Sequence, residues 1–229
     1  MLVRGVALVI LMSIHSSSQS VISTHSGLVD YFEGAVSIDG RAIAAISGRF
    51  PEVPAHAQLS TEDGKAEVVL NPEVLLWIGP RSAIRLERNS LDDTWIELLE
   101  GSAVVQSEAM SADDPVTLIY RNSQVRVSAQ SLYRADTSSC RLNVLTGRAD
   151  VAAGDKRVVI TGPAFLNFCS SITGPLPPGA PDALDNWVHE RRKLLAKWQR
   201  SGRNDWSRRR HPFARPFPSA VPSLPRRAW

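Results

Sequence analysis

The sequence predicts a mostly β protein: an antiparallel β sandwich or roll, or a solenoid-like β domain, followed by one C-terminal amphipathic helix and a disordered tail. Three observations carry this. Between residues 26 and 172, short stretches of alternating apolar and polar residues are broken every 8–12 residues by Gly, Asn, Asp or Pro. A Pro-rich segment then precedes apolar residues at helical spacing. The last thirty residues change to Arg, Pro and Ser. With 229 residues, 43% of them apolar, the chain can build one good core or two small ones.

Taken in order, residues 1–20 read as a signal peptide or signal anchor. Arg4 supplies the positive start, and the nine-residue stretch Val6–Ile14 is the apolar region. Ser18 and Ser20 offer small residues before a cleavage point. Export to the periplasm or cell surface follows, with an uncleaved anchor as the alternative. Export would permit a disulfide between Cys140 and Cys169; the other reading is two separate buried thiols.

The β domain spans 26–172. Leu28 to Ile38 ends in Asp39-Gly40, a hairpin dipeptide. Ala66–Leu70, Val74–Ile78, Ala83–Glu87, Thr94–Leu99 and Ala103–Val105 follow. Further strands are expected at Val116–Tyr120, Gln124–Val127, Leu132–Ala135, Arg141–Leu145, Ala149–Ala152, Val158–Thr161 and Phe165–Phe168. Residues 173–181, with four prolines between Pro175 and Pro181, form a stiff linker. A helix is expected over 182–200, capped by Asp182. Its apolar stripe is Leu184, Trp187, Val188, Leu194, Leu195 and Trp198, a face for packing on the β domain or for a partner.

Residues 201–229 cannot bury enough surface to fold and are expected to be disordered. The net charge of +3 hides an asymmetry. Residues 200–229 carry eight arginines against one acid, Asp205, for a net +7. Arg208, Arg209, Arg210 and Arg215, with Trp206, Phe213 and Phe217 nearby, suit an anionic membrane surface or acidic envelope polymer. Behind an export signal, nucleic acid is not an expected partner.

Motifs for catalysis are missing. There is no Gly-x-Ser-x-Gly elbow, no phosphate-binding glycine loop and no His-Glu-x-x-His. The five histidines are scattered, and two cysteines cannot build a four-thiolate zinc site. Asp92-Asp93 and Asp113-Asp114 read as hydrated turn acids. No enzyme activity, cofactor or metal is expected; a glycan-acting enzyme is the remote alternative. Trp77 and Trp95 stand in strands, either as core residues or as exposed platforms for sugars or peptides.

Several motifs together resemble the FecR domain. They are Gly34-Ala-Val36 before Asp39-Gly40, and Leu59-Ser-Thr61-Glu-Asp-Gly64-Lys-Ala66-Glu-Val68-Val-Leu70. Leu76-Trp-Ile78-Gly-Pro-Arg-Ser82-Ala-Ile84-Arg-Leu86 follows. Then come Ile96-Glu-Leu98-Leu-Glu-Gly101-Ser-Ala-Val104 and its echo, Leu142-Asn-Val144-Leu-Thr-Gly147-Arg-Ala-Asp-Val151. The resemblance covers about residues 27–170. It implies a β fold, an envelope location and a protein-interaction role of the sensing or signalling kind; an envelope protein or glycan is the expected partner. It implies no catalytic residues. Members of the iron-uptake type reach a sigma factor through a cytoplasmic segment; with about five residues before the apolar stretch, that segment is not expected here.

Overall fold

The computed structural model describes residues 25–45, 50–108 and 114–206, with side chains described as far as Trp198. Its strands are laid down as hairpins that alternate between two sheets. β1 (Leu28–Glu33) opens the first sheet. β2 (Val36–Ile38), β3 (Arg41–Ala42) and β4 (Gln58–Thr61) lie in the second. The hairpin β5 (Lys65–Asn71) and β6 (Val74–Ile78) returns to the first, and β7 (Ala83–Ser90) with β8 (Asp93–Glu100) to the second. β9 (Ser102–Ser107) crosses back alone. The pairs β10 (Val116–Tyr120) and β11 (Ser123–Val127), β12 (Ser131–Asp136) and β13 (Arg141–Thr146), β14 (Arg148–Ala153) and β15 (Lys156–Thr161), and β16 (Ala164–Asn167) and β17 (Ile172–Pro175) continue the alternation.

The first sheet has eight strands, ordered β1-β5-β6-β9-β12-β13-β16-β17. The second has nine, ordered β15-β14-β11-β10-β8-β7-β4-β2-β3. All neighbours are antiparallel except β8 and β10. Period-two alternation turns Ala66, Val68, Leu70, Leu76, Ile78, Val105 and Leu142 inward from the first sheet. Leu59, Ile84, Leu86, Ile96, Leu98, Leu118 and Val125 face them from the second. Together they form one continuous core, each large side chain contributing about 1.5–3 kcal/mol by burial. Tyr133 spans the layers: its hydroxyl donates to the Arg148 carbonyl and accepts from the Ser128 amide, so its burial leaves no polar group unpaired.

Each change of sheet needs a sharp corner. Gly101, between β8 and β9, and Gly147, between β13 and β14, both have φ of +79°. This is why the Leu-Gly-Val cadence occurs twice. At Gly101 a Cβ would sit 2.5 Å from the Arg81 carbonyl oxygen and 2.6 Å from Ser82 Cα. Gly101→Ala therefore combines a left-handed backbone penalty with a clash against main chain. The expected loss is about 3 kcal/mol, read as a fall of roughly 10 °C in Tm; an unchanged midpoint would contradict the corner assignment.

The β fold and the single C-terminal helix agree with the sequence expectation, while several boundaries differ. The stretch 28–38 is two strands in different sheets, because Gly34, at φ +68°, turns the chain between them. β4 lies inside the expected β domain but is not among the individual strands expected there, and β17 lies partly inside the expected linker because its residues pair with β16. The helix α1 runs Ala183–Trp206 and not to residue 200. Cys140 and Cys169 sit in turns. They form a disulfide with Cα atoms 5.8 Å apart, joining the β12–β13 turn to the β16–β17 turn. The signal segment 1–20 and Arg208, Arg209, Arg210 and Arg215 lie outside the described residues. Among the described residues, no helix is long and apolar enough to cross a membrane.

Candidate functional site

The two outer faces of the sandwich differ, and this difference defines the site. Residues turned outward from the first sheet include Trp77 on β6 and Val104 on β9, which pair across the strands. Both are buried although they point away from the main core. Helix α1 covers them. Leu184 and Val188 pack on Trp77 and Val104, with Leu75, Leu132, Trp187 and Leu195 around them. Four of the six stripe residues are thus in the packing. Leu194 and Trp198 are not: each is 42% exposed.

Three polar clamps fix the helix on this apolar cluster. At its start, Asp182 and Asp185 form a reciprocal capping box. The Asp185 amide donates to Asp182 Oδ1 at 2.9 Å, and the Asp182 amide to Asp185 Oδ2 at 3.1 Å. Arg134 on β12 reaches both carboxylates, at 2.5 Å and 2.6 Å, tying the cap to the sheet. Half a turn on, Trp187 Nε1 donates to Glu33 Oε1 at 2.9 Å, which also accepts from the Tyr31 hydroxyl. Lys65 Nζ lies 3.4 Å from Glu33 Oε2 and 5.2 Å from the centre of the Trp187 ring. Deepest is Glu67 on β5, fully buried. Its Oε2 accepts from Arg191 Nε at 2.8 Å and from Trp77 Nε1 at 2.9 Å. The Arg191 guanidinium stacks 3.9 Å from the Tyr31 ring centre.

The clamps have opposing electrostatic terms. Burial works against the charged Glu33 carboxylate, but the Trp187 and Tyr31 hydrogen bonds and the Lys65 charge hold its pKa below the ordinary value. Hydrogen bonding from Arg134 outweighs partial burial and lowers Asp182 to about 2 from 3.8. A carboxyl depressed in the folded state stabilises above its unfolded pKa and loses that contribution as pH falls through the folded one. The Asp182 clamp is therefore whole above about pH 4 and weakens between pH 4 and 2. Because Asp182 is half exposed, the expected contribution is only about 1 kcal/mol. Asp182→Asn keeps a capping side chain and removes the charge. Urea unfolding at pH 5 and at pH 2.5 should show a smaller acid loss in the variant than in the parent; equal losses would refute the clamp.

Among the described residues, nothing comparable to α1 covers the outer face of the second sheet. Trp95, Thr117, Arg126, Asp150 and Val159 form one row across β8, β10, β11, β14 and β15. Arg126 and Val159 are exposed. The Arg88 guanidinium covers the Trp95 ring at 4.5 Å, and Asp93 accepts from both residues. Hydrogen bonding from Arg88 lowers the Asp93 pKa against a small desolvation effect. Trp77 is thus a packing residue beneath the helix, and Trp95 a half-exposed residue of the open face. Open clefts of about 540 Å³, around Thr61, Arg81 and Glu100, and about 440 Å³, around Gln106, Ser131 and Arg192, indent the two sheets. Among the described residues, no group of three His, Cys, Asp or Glu could hold a metal ion.

The residues the sequence reading passed over are Glu67, Arg191 and Arg134. Glu67 and Arg191 each occupy an apolar-facing position in an otherwise regular pattern. A carboxylate on an alternating strand and an arginine inside a helical stripe were the available signal.

Among the described residues, the molecule is an eight-on-nine β sandwich with one face closed by its own helix and the other uncovered. The FecR protein family model matches residues 57–150, from just before β4 into β14. Two crystal structures of a candidate anti-sigma factor from Parabacteroides distasonis, at 1.65 and 2.50 Å resolution, also align with this chain. Each has a TM-score of 0.41 and 15% identity, covering 51% of this chain and 57% of that one. The chain thus spans little more than half the length of those structures. No curated protein matches the sequence.

Proposed function

We propose that this chain is an exported, non-enzymatic module of the cell envelope that senses or relays a signal by binding a protein or glycan partner. The FecR domain over residues 57–150 is the observation that carries the reading. The apolar stretch at Val6–Ile14 supports export. The division of the faces supports an assignment of roles. Helix α1 already occupies the first sheet, so the partner meets the second, on the row from Trp95 to Val159. That row mixes an aromatic ring, exposed arginine and exposed valine, a composition suited to a contact surface.

Photo-crosslinking in the intact envelope tests this. A photoreactive residue at Arg126 or Val159 should yield one discrete adduct, and a probe at Glu190, on the exposed side of α1, should not yield the same one. Adducts from neither position on the second sheet would overturn the reading. Retention of the tagged chain in the cytosol would overturn the export half of it.

A further inference from the structure

Helix α1 is longer than the surface it closes. Its 24 residues span about 36 Å. Its contacts to the sheet, through Leu184, Trp187, Val188, Arg191 and Leu195, lie within the first thirteen residues. On the side turned from the sheet, Leu194 and, one turn further on, Trp198 are each 42% exposed. Lys193 and Lys197 are their sequence neighbours, exposed and also one turn apart. From residue 192 to 206 the helix sequence holds five basic residues against one acid, and the chain beyond adds six arginines and no acid.

We infer that the distal part of α1 is a docking surface for an anionic lipid bilayer, with Leu194 and Trp198 entering the headgroup boundary. An exposed leucine and tryptophan flanked by lysines have the chemistry of an interfacial helix: the ring and aliphatic chain gain from leaving water, and the cations gain from the negative surface. A second copy of the chain is disfavoured as occupant, because two such ends carry the same strong positive charge. A polyanion without an apolar phase would use the cations and leave Leu194 and Trp198 in water. The inference does not depend on which partner meets the second sheet.

The test is co-sedimentation of the full, oxidised chain with vesicles of 70% phosphatidylcholine and 30% phosphatidylglycerol, beside vesicles of phosphatidylcholine alone. Binding is expected to the anionic vesicles only, weakened at least about tenfold by raising salt from 0.1 to 0.5 M. Leu194→Ser with Trp198→Ser should weaken it about tenfold. Leu194→Ile with Trp198→Phe should restore it to within about threefold of the parent, which separates a surface role from a folding defect. Equal binding by the Ser variant and the parent would show that charge alone acts, and would overturn the inference. So would absence of binding to either vesicle, or capture only of an acidic protein or nucleic acid.

Discussion

Arg191→Met should lower the unfolding free energy by about 3–5 kcal/mol, because it leaves Glu67 charged, fully buried and without its cation. The methionine fills much of the same volume, so the loss reports charge and not a void. Glu67 Oε1 is already buried without a hydrogen-bond partner, which leaves the carboxylate little reserve. The companion variant carries the argument. Glu67→Leu together with Arg191→Met removes both ions, and stability should return to within about 1 kcal/mol of the parent or exceed it. The Trp77 indole then loses its acceptor, which limits the recovery. Urea denaturation of the two single variants and the double variant measures this. Additive losses would show that the two side chains do not form one unit.

Trp77→Ala is the second large effect, with an expected loss of about 3–5 kcal/mol. Trp77 is fully buried, but outside the inter-sheet core, under Leu184 and Val188. Its truncation removes the surface on which the helix lies and one of the two hydrogen bonds to Glu67 Oε2. The sandwich core should persist, since Leu76 and Ile78 face the other way. The expected signature is therefore loss of helical circular dichroism at a lower urea concentration than loss of the β signal. A single coincident transition with the parent's midpoint would contradict the assignment of Trp77 to helix docking.

These two effects locate what the sequence made legible. Alternating stretches such as Ala83–Glu87 and Thr94–Leu99 read directly as strands, because one face is buried and the other is not. The glycine cadence at Gly101 and Gly147 was legible only as part of a family resemblance, and the structure gives its cause: a positive φ and a main-chain approach that excludes a Cβ at the sheet-to-sheet corners. The helix read clearly from its apolar spacing, yet its end and its full docking face did not. Spacing cannot tell how far a supporting sheet extends, so Leu194 and Trp198 fell into the same stripe as Leu184 and Val188. Arg191 was passed over for the opposite reason. An arginine at a core-facing helical position is unfavourable until a buried carboxylate 124 residues earlier in the chain is known to meet it. Trp77 shows the same limit: alternation places it opposite Leu76, but only the tertiary fold shows that a helix covers it.

The central claim is that α1 is an integral wall of the domain, closing the first sheet and leaving the second free for contact. Native-state hydrogen exchange of the purified chain, resolved to the peptide covering residues 186–195, measures this directly. If the clamps at Glu33, Glu67 and Arg134 hold the helix, its amides should open with a free energy within about 1 kcal/mol of the sandwich strands. Exchange at the rate of a free helix, while β5 and β6 stay protected, would mean that the first sheet is open and the division of faces is wrong.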